Sequence, residues 1–336
     1  MAQVDLPLAE LRTYRSAVVP PPDLEEFWQQ TLTEAAAQDL APTFERVESG
    51  LVTVDTYDVA FSGFGGDRVR AWLHLPAAAV RGSGRLAGVV QFQGYNGGRG
   101  LCHDYTFWAA AGYAHLVVDT RGQGSGWAVG ATADRVGAGP SQPGFLTRGV
   151  QDPLDYFYRR VYTDAVRAAE ALRSHPGVDP ARVCVTGGSQ GGGISLAVAA
   201  LSRDVAAVMP DVPFLCDFPR ATTITDCMPY REIGDYLKTH RDKGERVYRT
   251  LAYFDGVHFA ARANAPALFS TALEDDTCPP STVFAAFNSY AGPKQIEVYP
   301  FTDHEGGGTR QFLAQLEFLQ HSLQSPHQPA APAGSR

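Results

Sequence analysis

The sequence lacks the features by which membrane proteins, nucleic-acid-binding proteins and disulfide-stabilised proteins are usually identified. Only 19% of its 336 residues are charged, the formal net charge is −8, and no block of like charge occurs. Because nucleic acids and anionic membranes bind clustered Lys and Arg side chains, we expect neither as a partner. No stretch approaches the roughly 20 apolar residues that a membrane-spanning helix needs.

Cysteine is also scarce. The chain has five cysteines, an odd number without any C-x-x-C pair: Cys102, Cys184, Cys216, Cys227 and Cys278. This pattern favours free, mostly buried thiols over a disulfide framework or a zinc site, and we expect no metal. The first residues have neither the basic start nor the apolar run of a secretory signal, which predicts a cytoplasmic protein.

What the sequence does contain is an alternation of two apolar patterns. The predicted strands are residues 51–61, 68–76, 88–94, 115–119, 183–186, 205–209, 267–273 and 296–299. Apolar residues at helical spacing lie between or after them, at 161–172, 194–201 and 312–319. Strand followed by helix, repeated, predicts the α/β class with a mostly parallel central sheet flanked by helices.

Three segments lie outside this alternation. Residues 1–45 contain a predicted helix from Leu24 and are expected to wrap against the core. Residues 214–260 form an insertion, of the kind that often becomes a lid or an interface. Residues 325–336 are rich in Ser, Pro, Ala and Gly, which predicts a disordered tail. We therefore expect one domain over residues 1–324.

The clearest chemical motif is a glycine-rich turn around Ser189. Residues 183–193 read V-C-V-T-G-G-S-Q-G-G-G, a β-run that passes through G-x-S-x-G into a predicted helix. This is the pattern of a nucleophile elbow, in which a tight turn exposes the serine hydroxyl at the end of a strand. Gly187 and Gly191 are expected where the turn leaves no space for side chains. The alternative is a glycine-rich turn with an incidental serine.

A serine nucleophile needs a histidine base later in the chain. Four histidines lie between Ser189 and the predicted tail: His240, His258, His304 and His321. His304 directly follows the last predicted strand and precedes the last helix, where the base of such a fold belongs. The other three lie in the insertion or in a helix, where solvated or packed roles are expected.

The acid is expected after the strand at 267–273, where Glu274, Asp275 and Asp276 are adjacent. The residues alone do not choose among these three carboxylates. In an extended chain Glu274 and Asp276 would point to one side and Asp275 to the other. Asp303 and Glu305 are weaker candidates, since a carboxylate next to the histidine in sequence rarely reaches its ring nitrogen.

An oxyanion hole needs two backbone N–H groups directed at the substrate carbonyl oxygen. One is expected from Gln190, the residue after the nucleophile. The other is expected from Tyr95, in the glycine-rich turn that follows the strand at 88–94. A simple turn at the end of that strand is the alternative for Tyr95. A second glycine-rich stretch, 122–126, has the look of a phosphate loop but lacks the following helix and lysine, and Arg121 there is expected to brace the site or an interface.

Together these residues resemble the acetyl xylan esterase and cephalosporin C deacetylase family, carbohydrate esterase family seven, within the α/β-hydrolase fold. The resemblance covers nearly the whole chain apart from the tail. It is carried by residues 5–8, 27–28, 97–100, 121–123, 187–191, 279–286 and 304–305.

By this resemblance Ser189 is the nucleophile, His304 the base and Asp275 the acid, while Tyr95 and Gln190 are the oxyanion donors. The resemblance also implies removal of acetyl groups from short xylo-oligosaccharides and cephalosporin C, without a cofactor, by a homo-oligomer that is typically a hexamer. Since a net charge of −8 does not attract an anion such as cephalosporin C, acetylated sugars are the favoured substrates. The alternatives are a serine peptidase similar to prolyl oligopeptidases and a non-catalytic binding protein of the same fold.

Overall fold

A computed structural model describes residues 3–135, 143–202 and 204–323 of the chain. Within them lies one sheet of nine strands in the order β1-β2-β3-β5-β4-β6-β7-β8-β9. The strands are β1 (Thr43–Val47), β2 (Val54–Ser62), β3 (Arg68–Pro76), β4 (Leu86–Phe92), β5 (Ala114–Val118), β6 (Val178–Gly188), β7 (Val208–Asp211), β8 (Ala267–Ala272) and β9 (Lys294–Tyr299).

The helices follow the strands in the predicted α/β alternation. They are α1 (Leu8–Leu11), α2 (Leu24–Ala36), α3 (Phe107–Ala110), α4 (Phe157–Ser174), α5 (Gln190–Leu201), α6 (Phe218–Ile224), α7 (Arg231–Thr239), α8 (Gly244–Ala252), α9 (Gly256–Ala260), α10 (Pro280–Ser289) and α11 (Thr309–Ser322). A short 3-10 turn (Phe64–Gly66) lies between β2 and β3.

The sheet is mixed but mostly parallel, as the sequence predicts. Strands β4 to β9 pair in parallel, whereas β1, β2 and β3 pair antiparallel with each other and β3 pairs antiparallel with β5. Strand β1 is not among the predicted strands, because this edge strand is partly exposed along its length and carries no apolar alternation. All residues of β5 and β8 are buried, as expected for strands with helices on both faces.

Alternate residues of the central strands belong to two separate hydrophobic clusters. Val90 and Val185 face the cluster that contains α4 and α5. Val89 and Cys184 face the cluster that contains Trp108 of α3 and residues of α11. Since neighbouring side chains of a strand point to opposite faces, the sheet is packed on both sides. This arrangement presents the carboxyl ends of β4, β6, β7, β8 and β9 at one edge.

The segment before β1 and the segment between β7 and β8 meet each other. Trp28 of α2 has ring contacts with Tyr162 of α4 and with Phe254 and Phe259, at centroid distances of 5.4 to 5.8 Å. Its Nε1 donates a hydrogen bond of 2.9 Å to the carbonyl of Tyr253. The inserted residues consist of helices α6 to α9.

No helix among the described residues is both long and apolar enough to cross a membrane. The five cysteines are free, and three of them, Cys184, Cys216 and Cys278, are buried. The predicted tail at 325–336 lies outside the described residues.

Candidate active site

Ser189 occupies the sharp turn between β6 and α5. Its backbone has φ of +57° and ψ of −118°, a left-handed conformation that is strained for a residue with a side chain. The strain is held by backbone hydrogen bonds. Ser189 N donates to the carbonyl of Asp211 (2.9 Å), and its own carbonyl accepts from the N–H groups of Gly193 (3.1 Å) and Phe214 (2.9 Å).

The two glycines singled out in the sequence leave no room for a side chain. A Cβ at Gly187 would lie 2.6 Å from the carbonyl carbon of Gly191, and one at Gly191 would lie 2.2 Å from the carbonyl oxygen of Phe92. By contrast, a Cβ at Gly188 would meet nothing within 4 Å. The turn therefore requires glycine at Gly187 and Gly191 because strand β4 and the start of α5 approach each other there.

His304 and Asp275 meet across the ends of β8 and β9. His304 Nδ1 lies 2.9 Å from Asp275 Oδ2. The other carboxylate oxygen of Asp275 accepts hydrogen bonds from the backbone of Thr277 (2.9 Å) and Cys278 (2.8 Å). Asp275 is fully buried, whereas Glu274 and Asp276 are partly exposed. Of the three adjacent carboxylates, Asp275 is thus the one that contacts the imidazole.

Cys278 is a buried thiol beside this pair. Its Sγ lies 3.9 Å from Ser189 Oγ, and the ligand-type atoms of Asp275, Cys278 and His304 all lie within 4.8 Å of one another. Burial raises the pKa of the Cys278 thiol to about 11. A cysteine binds metal as the thiolate, so a protonated thiol makes this cluster a poor metal site near neutral pH.

The pKa of His304 reflects opposing effects. Burial lowers it, while Cys278 and the hydrogen bond and charge of Asp275 raise it, and the net result is a pKa above the ordinary value of 6.5. A protonated Cys278 carries no charge, which leaves the 2.9 Å contact with Asp275 as the one that supports the imidazolium. The same carboxylate orients the ring through Nδ1, which fixes the tautomer with its proton on Nδ1.

Of the two expected oxyanion donors, Tyr95 lines the cavity at Ser189, and Gln190 directly follows Ser189 at the start of α5. Within the described residues, the backbone N–H groups of Tyr95 and Gln190 have no intramolecular acceptor. The amide side chain of Gln190 is fully buried, accepting from Gln123 (2.9 Å) and Tyr158 (2.8 Å). Gln123 also accepts from the N–H of Asn96 at 2.7 Å. These bonds connect the turn after β4 to the start of α5. In the sequence Gln123 was noted only as part of the resemblance at 121–123, without a role, and Tyr158 was not noted.

Arg121 lies two residues before Gln123 and anchors the same loop. Its side chain is fully buried and bonds to Asp164 (2.6 and 2.7 Å) and Asp67 (3.0 Å). The neighbouring glycine, Gly124, has positive φ, and a Cβ there would lie 2.1 Å from the backbone of Gly130. The stretch is therefore a packed loop that carries Gln123, and Arg121 ties this loop to α4 through Asp164.

Ser189, His304 and Tyr95 line one cavity of about 640 Å³. Its walls are largely apolar and include Tyr105, Trp127, Met228, Pro229 and Phe312. Trp127 and Met228 are about half exposed and belong to the rim. A cavity of this size is typical of small-molecule sites.

The described residues match one group of known proteins closely. A family model described as acetyl xylan esterase (AXE1) matches residues 1–322. The solved acetyl xylan esterase from a Paenibacillus species is 36% identical, with a TM-score of 0.87 over 94% of this chain and 99% of that one. Acetyl xylan esterase 1 from a Thermoanaerobacterium species is 33% identical, with a TM-score of 0.85 over 95% and 99%. An acetyl esterase of Xylanibacter ruminicola is 29% identical over 84% of this chain, which spans 63% of that relative's length.

Proposed function

The chain belongs to the acetyl xylan esterase (AXE1) family of carboxylic ester hydrolases, and we propose that it removes acetyl groups from small acetylated sugars through an acyl-enzyme on Ser189. The observation that carries the proposal is the 2.9 Å contact between His304 Nδ1 and Asp275 Oδ2, at the cavity that Ser189 also lines. A histidine held in this way can accept a proton from a serine hydroxyl.

In the first half of the reaction, Ser189 Oγ attacks the acetyl carbonyl and its proton passes to His304. The carbonyl oxygen becomes an oxyanion, which accepts hydrogen bonds from the N–H groups of Tyr95 and Gln190. Asp275 stabilises the imidazolium that forms. When the tetrahedral intermediate collapses, the bond to the sugar oxygen breaks and His304 returns the proton to that oxygen, which releases the alcohol.

In the second half, a water molecule gives a proton to His304 and attacks the acetyl group on Ser189. The same two N–H groups stabilise the second oxyanion. Collapse breaks the bond to Ser189 Oγ, which regains its proton from His304, and acetic acid leaves and ionises in the solvent. No step requires a cofactor.

The substrate is proposed to be a short acetylated xylo-oligosaccharide. A cavity of about 640 Å³ accommodates one or two sugar rings. The net charge of −8 gives no long-range attraction for an anionic ester such as cephalosporin C, which is therefore expected to react more slowly. By family resemblance the active form is a cytoplasmic homo-oligomer, typically a hexamer.

Replacement of Ser189 tests the proposal. In Ser189→Ala, hydrolysis of p-nitrophenyl acetate and acetylated xylobiose should fall by about 10⁴-fold or more. Ser174→Ala is the control, because Ser174 Oγ donates a hydrogen bond to the carbonyl of Ala171 at the end of α4, outside the residues that line the cavity. A fluorophosphonate should label the wild-type protein at Ser189 and leave Ser189→Ala unlabelled.

Each alternative function has its own outcome in the same assays. Undiminished ester hydrolysis by Ser189→Ala would refute the assignment of the nucleophile. Faster cleavage of an aminoacyl anilide than of acetyl esters would indicate a peptidase. Absence of both hydrolysis and fluorophosphonate labelling in the wild-type protein would indicate a binding protein. Acetyl, propionyl and butyryl esters, measured in parallel, would give the limit on acyl length.

A further inference from the structure

The inserted segment between β7 and β8 reaches the candidate oxyanion hole through one buried carboxylate. Glu232, in the first turn of α7, is 8% exposed. Its Oε1 accepts hydrogen bonds from the Tyr95 hydroxyl and, at 3.0 Å, from the N–H of Gly144. Its Oε2 accepts from the N–H of Leu146 at 3.1 Å. The carboxylate therefore joins three chain segments that are distant in sequence.

The Tyr95 side chain is anchored at its far end. Besides donating to Glu232, its hydroxyl accepts from the N–H of Phe145 at 3.0 Å. Its ring packs edge-on against Phe145 and Phe214, at centroid distances of 5.4 and 6.1 Å. On the backbone side, the Tyr95 carbonyl accepts from Trp127 Nε1 at 3.0 Å. Ring and backbone of Tyr95 are thus both held, while its N–H has no acceptor in the part of the chain that the structure describes.

This anchoring matters because Tyr95 lies in a turn rather than in a strand. Strand β4 ends at Phe92, so sheet hydrogen bonds do not fix the Tyr95 N–H. An oxyanion donor must lie within about 2.7–3.1 Å of the developing charge. A displacement of about 1 Å can cost about 100-fold in rate. The phenol tie to Glu232 supplies a fixed point that the turn itself lacks.

We propose that Glu232 is a positioning residue that holds the Tyr95 backbone N–H in the oxyanion hole, so that the inserted segment sets the activity of the site. The inference rests on the proposed function, in which Tyr95 N–H is one of two oxyanion donors. Glu232 contacts no substrate in this scheme. It acts through the Tyr95 phenol, and removal of either partner should release the same constraint.

Tyr95→Phe and Glu232→Gln test this proposal. Tyr95→Phe removes the tie but keeps the ring. Glu232→Gln keeps one acceptor oxygen but replaces the other with an amide NH₂ group, which cannot accept from the N–H of Leu146. The side chain must therefore move from the position that Glu232 occupies. We expect kcat for p-nitrophenyl acetate to fall about tenfold in each variant, with KM within about twofold, because the lost contact acts mainly in the transition state. Fluorophosphonate titration counts the competent sites, so that losses from misfolding are removed from kcat.

Two further measurements separate positioning from general structural damage. A small alkylboronic acid forms a tetrahedral adduct on serine in which one oxygen takes the place of the oxyanion, so its inhibition constant should rise in proportion to the loss of kcat/KM. The double variant should lose little more than the more affected single variant, since both changes release one interaction.

Tyr236→Phe is the matched control. Tyr236 lies on the same helix α7, and its hydroxyl accepts from Gln151 Nε2 at 2.6 Å, away from the cavity. This variant should keep the wild-type kcat and boronate affinity. A wild-type kcat in Tyr95→Phe, or fully additive losses in the double variant, would overturn the inference. The proposed function would stand in that case if Ser189→Ala is inactive. An active Ser189→Ala would instead remove the proposed function itself.

Discussion

The nucleophile and the base of the candidate site are held by different kinds of contact. Ser189 lies between β6 and α5 and is held by backbone contacts. Its N–H bonds to the Asp211 carbonyl, and the neighbouring glycines allow β4, β6 and α5 to approach each other closely. His304 lies in a loop beyond β9 and is fixed by side chains, first of all by Asp275 at 2.9 Å. One half of the site therefore depends on steric fit and the other on individual polar bonds.

Side-chain bonds also tie down the far end of the His304 loop. Asp211 Oδ1 accepts from Gln311 Nε2 at 2.8 Å, and its Oδ2 accepts from Gln315 Nε2 at 2.6 Å. Gln311 in turn accepts from the Tyr299 hydroxyl at 2.8 Å. Tyr299 ends β9 and Gln311 lies in the first turn of α11, so this network links both ends of the loop. The backbone of Asp211 bonds to Ser189, while its side chain bonds to α11 at the far end of the loop that carries His304.

The largest expected effect comes from breaking the main polar bond on the base side. Asp275→Asn should lower kcat for p-nitrophenyl acetate by about 10⁴-fold, because the amide no longer selects the productive tautomer or stabilises the imidazolium. The acid limb of the kcat/KM profile should also move to lower pH. Burial lowers the pKa of His304, and Asp275 is among the groups that raise it, so loss of this charge lets burial dominate.

Asp276→Asn provides the control for this change, since it alters an adjacent, partly exposed carboxylate that does not contact His304. Its pH profile and kcat should match the wild type. A larger loss in Asp276→Asn than in Asp275→Asn would move the acid to position 276. Side-by-side pH profiles of the three proteins decide between these outcomes.

This difference in support also explains which features the sequence predicts. Ser189, Gly187 and Gly191 lie within five residues, so a local motif carries all the information about the turn. The mostly parallel sheet is equally predictable, because buried strands leave continuous apolar runs. Strand β1 is not, since its partly exposed residues resemble a loop.

The polar contacts are harder to predict because their partners are distant in the chain. Glu232 lies 137 residues from Tyr95, and Gln123 lies 67 residues from Gln190. Asp275 could not be chosen among its neighbours from residue types alone. The structure distinguishes it because the N–H groups of Thr277 and Cys278 bind one carboxylate oxygen and leave the other for His304.

A smaller effect is expected from disturbing the steric fit on the nucleophile side. In Gly191→Ala the new Cβ would lie 2.2 Å from the Phe92 carbonyl oxygen, so the elbow or β4 must shift by about 1 Å, which costs about 100-fold in kcat/KM. Gly188→Ala is the matched control, because a Cβ there meets nothing within 4 Å. Equal activity of the two variants, measured with titrated sites, would contradict the steric account.

The smallest expected effect concerns the network that joins the two halves. Burial raises the pKa of Asp211, and its hydrogen bonds with Gln311, Ser270 and Gln315 lower it. The net result is a pKa of about 7. The folded protein then binds more protons than the unfolded chain between about pH 4 and 7, so this group's contribution to stability falls as pH rises through that window. Asn at position 211 does not titrate. It can still accept from Gln311 and donate to a rotated Gln315 amide.

The Tm of Asp211→Asn minus the Tm of the wild type should therefore be a few degrees larger at pH 8 than at pH 5. Thermal unfolding of both proteins, followed at several pH values, measures this difference. If Tm depends on pH in the same way in Asp211→Asn and in the wild type, the Asp211 carboxylate is charged throughout this range. The bonds from the two glutamines then lower its pKa by more than burial raises it. The link between the halves would then be held by charge-assisted bonds, and the base side would be as firmly fixed as the nucleophile side.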